Sequence, residues 1–376
     1  NEKRATLKVL SIHGIGPHKS GHSTRLAENL ARSLQMNVRA EQYKEFSLAQ
    51  TYLFPNETVG TLRISRYFND TETREMIFYE LTWAEILTKY KELLEFDTSG
   101  EHAFRRAEVN KVLKEFSNAH LADPVIYLGE PQERINVSVA QSICWMLSSD
   151  WDGLPTSGSH GCFPDLPGYL NYFQDEYVFM SHSLGSRVLL DSLQRIARLG
   201  ALLADPSLTT EDVGIGIEES VRQEMVRRLE GFKDKEFSIY MLSNQLLLMQ
   251  LGRPKPPVTG QHDQYCLPDS PLADQRFMAK LHMVAFCDPN DLLSYAVPPN
   301  FVEEYMDSRM CTTMDNVSIN VAQVKDLFGL GRIANPMTAH TEYDNDERIL
   351  ALITRGVGTE IMAPIVKERC EWVETR

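Results

Sequence analysis

Short apolar runs alternate with stretches of helical period along most of the chain, the pattern of an α/β sheet protein. Thr6–Ile12 (TLKVLSI) reads as a buried strand, followed by a helix over Ser23–Leu34 with Leu26, Leu30 and Leu34 on one stripe and Ser23 as N-cap. Thr61–Phe68 and Met76–Trp83 read as strands, Ala84–Phe96 as a helix, and residues 98–120 as polar and helical. Asp123–Leu128 (DPVIYL) reads as a short strand and Val137–Ser149 as a helix, before a loop rich in Gly, Ser and Pro from Gly153 to Gly168. Then come the strand Glu176–Met180, a turn SHSLG and the helix Ser186–Gly200. Phe237–Ser243, Lys280–Phe286 and Asn316–Ala322 complete the strands, and Glu347–Val357 is the closing helix. The pattern shows no internal repeat. It predicts one domain over residues 1–376, with two insertions, 201–235 and 253–279, as candidate lids or caps.

With 43% hydrophobic and 24% charged residues, the composition can bury a substantial core. The net charge of −14 disfavours phosphate backbones, so a nucleic-acid partner is not expected. No segment approaches the roughly 20 apolar residues of a membrane span, so a soluble chain is expected, with a cytosolic placement favoured over secretion. The chain begins at Asn1 without a methionine, which implies trimmed or omitted residues upstream. Six cysteines are too few for a dense framework; Cys144 and Cys287 lie in apolar runs and read as free, buried thiols. Asn-X-Ser/Thr sequons at Asn56, Asn69, Asn136 and Asn316 are short enough to arise by chance.

The chemistry concentrates in two apolar runs that end abruptly in His and Gly. In VFMSHSLGSRVLLDSL (Val178–Leu193), Ser183 sits between a strand and a helix, where a sharp turn requires small neighbours two residues away on either side. Those neighbours are Ser181 and Gly185. The turn aims the first amides of the helix at the serine, so the Leu184 N–H is a candidate oxyanion donor. A serine needs a base and an orienting acid, which follow in the order Ser, Asp or Glu, His in this kind of fold. Seven of the ten histidines precede Ser183, and His262 and His282 precede the acidic loop, which leaves His340 as base. Asp288 and Asp291 are both candidate acids after the strand HMVAF; Asp291 is preferred because Asp288 precedes Pro289 and suits the turn. In KVLSIHGIG (Lys8–Gly16), two glycines let backbone amides approach a ligand. The Ile15 N–H is the expected second oxyanion donor, with His13 bracing the loop. His18 and His22 stand four apart, but Gly21 spoils the helix that would align them on a metal; neither metal nor cofactor is expected.

With KVLSIHGIG, VFMSHSLGSRVLLDSL, AFCDPNDLLSYAVP and NPMTAHTEY in this order, the chain resembles an α/β-hydrolase of the lipase and esterase type from residue 6 to about 360. It departs from that pattern at Ser181, where the family carries Gly. The resemblance implies a mostly parallel central sheet flanked by helices, with lid insertions. NDLLSYAVPP is similar to the acid-bearing loop of triglyceride-lipase-like enzymes, which supports Asp291. The implied chemistry is acyl transfer to water through an acyl-enzyme on Ser183, with His340 as base then acid and Asp291 orienting it. The expected substrate is a carboxylic ester, of a lipid or phospholipid in the first instance, with transient contact to a lipid surface. An amidase or thioesterase would use the same triad, and a non-catalytic binding protein could keep the fold.

Overall fold

The computed structural model describes residues 4–38, 42–50, 53–98, 100, 106–162, 174–212, 217–326, 332–357 and 374–375. A ten-stranded sheet runs in the order β12-β9-β8-β7-β6-β1-β4-β3-β2-β5. Its strands are β1 Ala5–Ile12, β2 Gln42–Ala49, β3 Thr58–Phe68, β4 Arg74–Thr82, β5 Ser159–His160, β6 Glu176–His182, β7 Glu236–Leu242, β8 Lys280–Cys287, β9 Thr312–Ser318 and β12 Glu374–Thr375; β10 Lys325–Asp326 and β11 Arg332–Ile333 pair separately. From β9 through β8, β7, β6 and β1 to β4 every pairing is parallel, and β3 joins β4 and β2 antiparallel. Such strands are buried on both faces, which is why their sequences are continuous apolar runs.

The helices are α1 Thr24–Ser33, α2 Glu85–Thr98, α3 Glu108–Phe116, α4 Ala122–Tyr127, α5 Gln132–Ser148, α6 Gly185–Ala204, α7 Glu219–Glu230, α8 Leu246–Gln250, α9 His262–Cys266, α10 Phe301–Tyr305, α11 Pro336–Thr341 and α12 Glu347–Arg355. One face of the sheet packs against α5 and α6, with Ile135, Ile143, Val188 and Leu189 in the core. The other packs against α1 and α12 through Leu26, Leu30, Ile349 and Leu352. The protein is therefore α/β, with a large, mostly parallel central sheet flanked by helices. No helix among the described residues is long and apolar enough to cross a membrane.

Several expectations are corrected. Asp123–Tyr127 is helical, not a strand: α4 continues from α3 through the π-turn Ser117–Leu121 and turns Asp123 and Tyr127, four apart, inward on one face. The last strand begins earlier than Asn316 and ends at Ser318. The strand β2 was not anticipated; only Phe46 and Leu48 are buried in a segment that starts polar. Cys144 is not a free thiol, because it is bonded to Cys162, and a second disulfide joins Cys266 to Cys311. Cys287 is free and buried, and burial together with the nearby Asp288 pushes its thiol up to about 11.

The two expected lids are fastened to the end of the sheet opposite Ser183, although Arg253, where the second begins, pairs with Asp191 of α6 at 2.9 Å. In 201–235, the buried Arg222 guanidinium donates to the carbonyls of Leu203, Asp205 and Leu208, and the Lys235 carbonyl accepts from Ala279 N–H. In 253–279, Cys266 is tied to Cys311, and Phe277 N–H donates to the Arg309 carbonyl. These partners precede the first residues of β7, β8 and β9, whereas Ser183 follows the last residue of β6. At about 3.3 Å per residue, the two ends of a seven-residue strand are roughly 20 Å apart. Residues 163–168 of the expected loop and 213–216 of the first expected lid lie outside the described residues. A segment that starts from the other end of the sheet leaves β4 after Trp83, and its described residues 84–98, 100 and 106–127 carry α2, α3 and α4.

The disulfides close spans of 18 and 45 residues. In the chain-entropy limit such loops stabilise by about 3–4 kcal/mol each. Reduction is expected to lower the denaturant midpoint, and non-reducing peptide mapping is expected to recover Cys144 linked to Cys162. An unchanged midpoint with free thiols at all four positions would contradict both bridges.

Candidate active site

Five neighbouring parallel strands end side by side, and the first residue beyond each is His13 (β1), Trp83 (β4), Ser183 (β6), Ser243 (β7) or Asp288 (β8). Ser183 has φ 55°, a left-handed backbone that costs about 1–2 kcal/mol for a residue with a side chain. The turn is held because Ser183 N–H donates to the last carbonyl of β7, Leu242, at 2.9 Å, and the Ser183 carbonyl accepts from Ser186 N–H at 3.1 Å. Gly185 is required: a Cβ there would stand 2.4 Å from the Ile12 carbonyl oxygen and 2.6 Å from that of His13. Ser181, where the sequence departs from the usual glycine, is accommodated: it is buried and its hydroxyl bonds that of Ser186 at 3.2 Å.

His340 lies on α11, which is capped by the Asn335 side chain and begins with Pro336. Its Nε2 is 3.0 Å from Ser183 Oγ, and its Nδ1 is 2.9 Å and 3.0 Å from the two Asp291 carboxylate oxygens. The structure thus brings Ser183, His340 and Asp291 into one hydrogen-bonded chain. Burial raises the Asp291 carboxyl, but the hydrogen bond and charge of His340, with bonds from Ser243 and the Leu293 amide, outweigh it and hold the group below its ordinary value. Asp288 is not part of this chain. Its carboxylate accepts from Asn290 and from Ala322 N–H at 2.8 Å, and fixes the turn. His182, inside the elbow, donates from Nε2 to the His340 carbonyl at 2.8 Å; burial and then the neighbouring His340 push it down to about 3, so it stays neutral.

The loop after β1 lies directly over the elbow. A Cβ at Gly14 would meet Ser183 Cβ at 2.6 Å and the His182 carbonyl oxygen at 2.7 Å. Neither the Ile15 nor the Leu184 N–H donates a hydrogen bond among the described residues. His13 braces the loop: Nδ1 donates to the Gly14 carbonyl at 2.8 Å, Nε2 accepts from Trp83 N–H at 3.1 Å, and the ring stacks on the Trp83 indole at 4.5 Å. Complete burial, then the neighbouring His18 and His22, hold its pKa well below the ordinary value. His18 and His22 pack around it with ring centres 4.3 Å and 5.0 Å away. Glu80 of β4 accepts from the amides of Gly21 and Ser23, which fixes the start of α1.

Two residues of this region escaped the sequence reading. Asp123 accepts from Gly16 N–H at 2.7 Å and lies 2.5 Å from Lys91 Nζ, so the 84–127 segment is tied to the loop that carries Ile15. Reading its segment as a strand hid that carboxylate; the Asp123–Tyr127 spacing was the available signal. Ser243 closes the strand pattern FSIYMLS, and nothing in that pattern marks its side chain as turned toward Asp291 and His340.

A methyl group at Gly14 is expected to push Ile15 away from Ser183 and to lower turnover by about a hundredfold, the effect of losing one oxyanion donor. Because the new methyl also meets the His182 carbonyl oxygen at 2.7 Å, the melting temperature is expected to fall too. Gly185→Ala, which meets backbone on β1 itself, is expected to destabilise the protein by about 1–3 kcal/mol as well. Equal turnover in Gly14→Ala and the native protein would remove the loop from the site. Compared with known proteins, the chain matches no family model, no curated sequence and no solved structure.

Proposed function

We propose that this chain is a serine hydrolase of the α/β-hydrolase type that cleaves a carboxylic ester. The observation that carries the reading is the continuous chain Ser183 Oγ–His340 Nε2 (3.0 Å) and His340 Nδ1–Asp291 (2.9 Å) at the C-terminal edge of a parallel sheet. In the proposed reaction Ser183 Oγ attacks the ester carbonyl while His340 Nε2 takes its proton, and Asp291 balances the imidazolium. The oxyanion is met by the Ile15 and Leu184 amides. Nε2–H then protonates the leaving alkoxide as the acyl-enzyme forms. Water repeats the sequence, with His340 taking its proton, and releases the acid and the free serine.

A lipid or phospholipid ester is the favoured substrate. Supporting it, the segment after β4, tied to the loop that carries Ile15, exposes Leu93 (80%), Phe96 (70%), Val109 (71%) and Val125 (72%) to solvent, apolar side chains of the kind that meet acyl chains or a lipid interface. The two disulfides favour an oxidising compartment over the cytosolic placement expected from composition.

Labelling by a fluorophosphonate probe tests the reading, followed by a panel of esters, thioesters and amides of graded chain length. Ser183→Ala is expected to abolish labelling and hydrolysis; label on another serine would overturn the assignment. Asp291→Asn is expected to lower kcat by about 10⁴-fold, because the imidazolium loses its counter-charge and the ring its tautomer. Asp288→Asn, which touches Asn290 and the Ala322 amide but not His340, should lower kcat far less; the reverse ranking would reassign the acid. Asp291 is held below its ordinary value, so it stays charged above the usual carboxyl range, and kcat measured against pH should show no loss from its protonation until the pH falls below that range. Chelator is expected to leave the initial rate unchanged.

A further inference from the structure

We propose that Ser243 is a positioning residue of this site: its hydroxyl locks the Asp291 carboxylate and the His340 ring in the arrangement that leaves Nε2 free for Ser183. The proposal rests on the serine hydrolase reading and adds a fourth side chain to it. Ser243 is the first residue beyond β7, fully buried, with Oγ 2.6 Å from Asp291 Oδ2 and 2.8 Å from His340 Nδ1.

The hydroxyl carries one proton, and the carboxylate is an acceptor only. That proton therefore goes to Asp291 Oδ2. Ser243 Oγ, its proton committed, faces Nδ1 with lone pairs alone. All three oxygens around Nδ1, two from Asp291 and one from Ser243, are then acceptors, so the ring must carry its proton on Nδ1. Nε2 is left as the acceptor for the Ser183 hydroxyl. The remaining Asp291 oxygen accepts from Leu293 N–H at 3.0 Å, so the carboxylate is gripped on both sides and cannot rotate.

The backbone argues the same way. Ser243 has φ 51°, the region that favours glycine, yet a serine stands there. On one side the Leu242 carbonyl is bound to Ser183 N–H, and on the other Asn244 N–H donates to the Phe286 carbonyl at 3.3 Å. The end of β7 is thus fastened to the elbow and to β8, and the strained turn aims the hydroxyl between the two strand ends that carry Ser183 and Asp291. A glycine would relieve the strain and lose the hydroxyl.

The test uses Ser243→Ala and Ser243→Gly, each alone and combined with Asp291→Asn. The readouts are the rate of fluorophosphonate labelling at Ser183, kcat and KM against pH, and melting temperature. Glycine takes the native φ without strain, so that variant keeps the fold even if alanine weakens it. In the native background both variants are expected to slow labelling and kcat about ten- to a hundredfold, the effect of one hydrogen bond to a charged group, with KM unchanged. In the Asp291→Asn background the same changes are expected to cost less than about threefold, because the group that Ser243 holds no longer acts. Native rates in both single variants would overturn the proposal, as would an equal fall in both backgrounds or a loss that follows only the melting temperature. Failure of the unsubstituted protein to label at Ser183 would instead overturn the hydrolase reading itself.

Discussion

The whole site depends on two backbones approaching more closely than any side chain permits. Gly185 meets the carbonyls of Ile12 and His13, and Gly14 meets Ser183 and the His182 carbonyl, so the end of β1 and the elbow after β6 are in direct contact. Because β1 and β6 are also paired in the sheet, this contact fixes the relative height of the loop and Ser183. Ser183 can then hold its left-handed backbone, since the Leu242 carbonyl anchors its amide from the other side. The strain is local, and the pairing of three strands maintains it.

Around this contact the structure keeps its histidines neutral by burial. His13, His18, His22 and His182 are all pushed down by burial, and each hydrogen-bonds backbone. They act as shaped, polar packing for two loops. Among the described histidines, only His340 has a carboxylate at hydrogen-bond distance on one ring nitrogen and a serine hydroxyl on the other; at His22 the Glu80 carboxylate stands off at 3.9 Å. The same side chain therefore has two kinds of surroundings in this fold, and a hydrogen-bonded carboxylate separates them.

Much of this was legible in the sequence because the signals are local and steric. An apolar run that stops at His-Gly, and another that stops at a serine with a glycine two residues on, mark strand ends without any knowledge of the partner. Chain order then left one histidine and two aspartates, and Asp288, next to Pro289, is the turn residue. What stayed hidden is what depends on three-dimensional neighbours. DPVIYL has strand-like composition but becomes α4 because Asp123 and Tyr127 find partners on one side, Gly16 and Asp191. The spacing of Cys144 and Cys162 carries no signature, and only the fold brings them together. The insertions looked like lids because charged helical stretches interrupt the pattern, while sequence alone does not tell which edge of the sheet an insertion leaves.

The residues that meet at Ser183 also come from nearly the full span of the chain: His13 to Ile15, Ser183 and Leu184, Ser243, Asp291 and finally His340. Contacts this distant in sequence form late, after the intervening loops have closed. During synthesis the sheet can begin to assemble around β1, β4 and β6, but Ser183 has no imidazole partner until the segment bearing His340 has left the ribosome. A chain caught before that point would lack the hydrogen-bonded link from Ser183 through His340 to Asp291. The topology therefore completes this arrangement only when folding of the body is nearly finished.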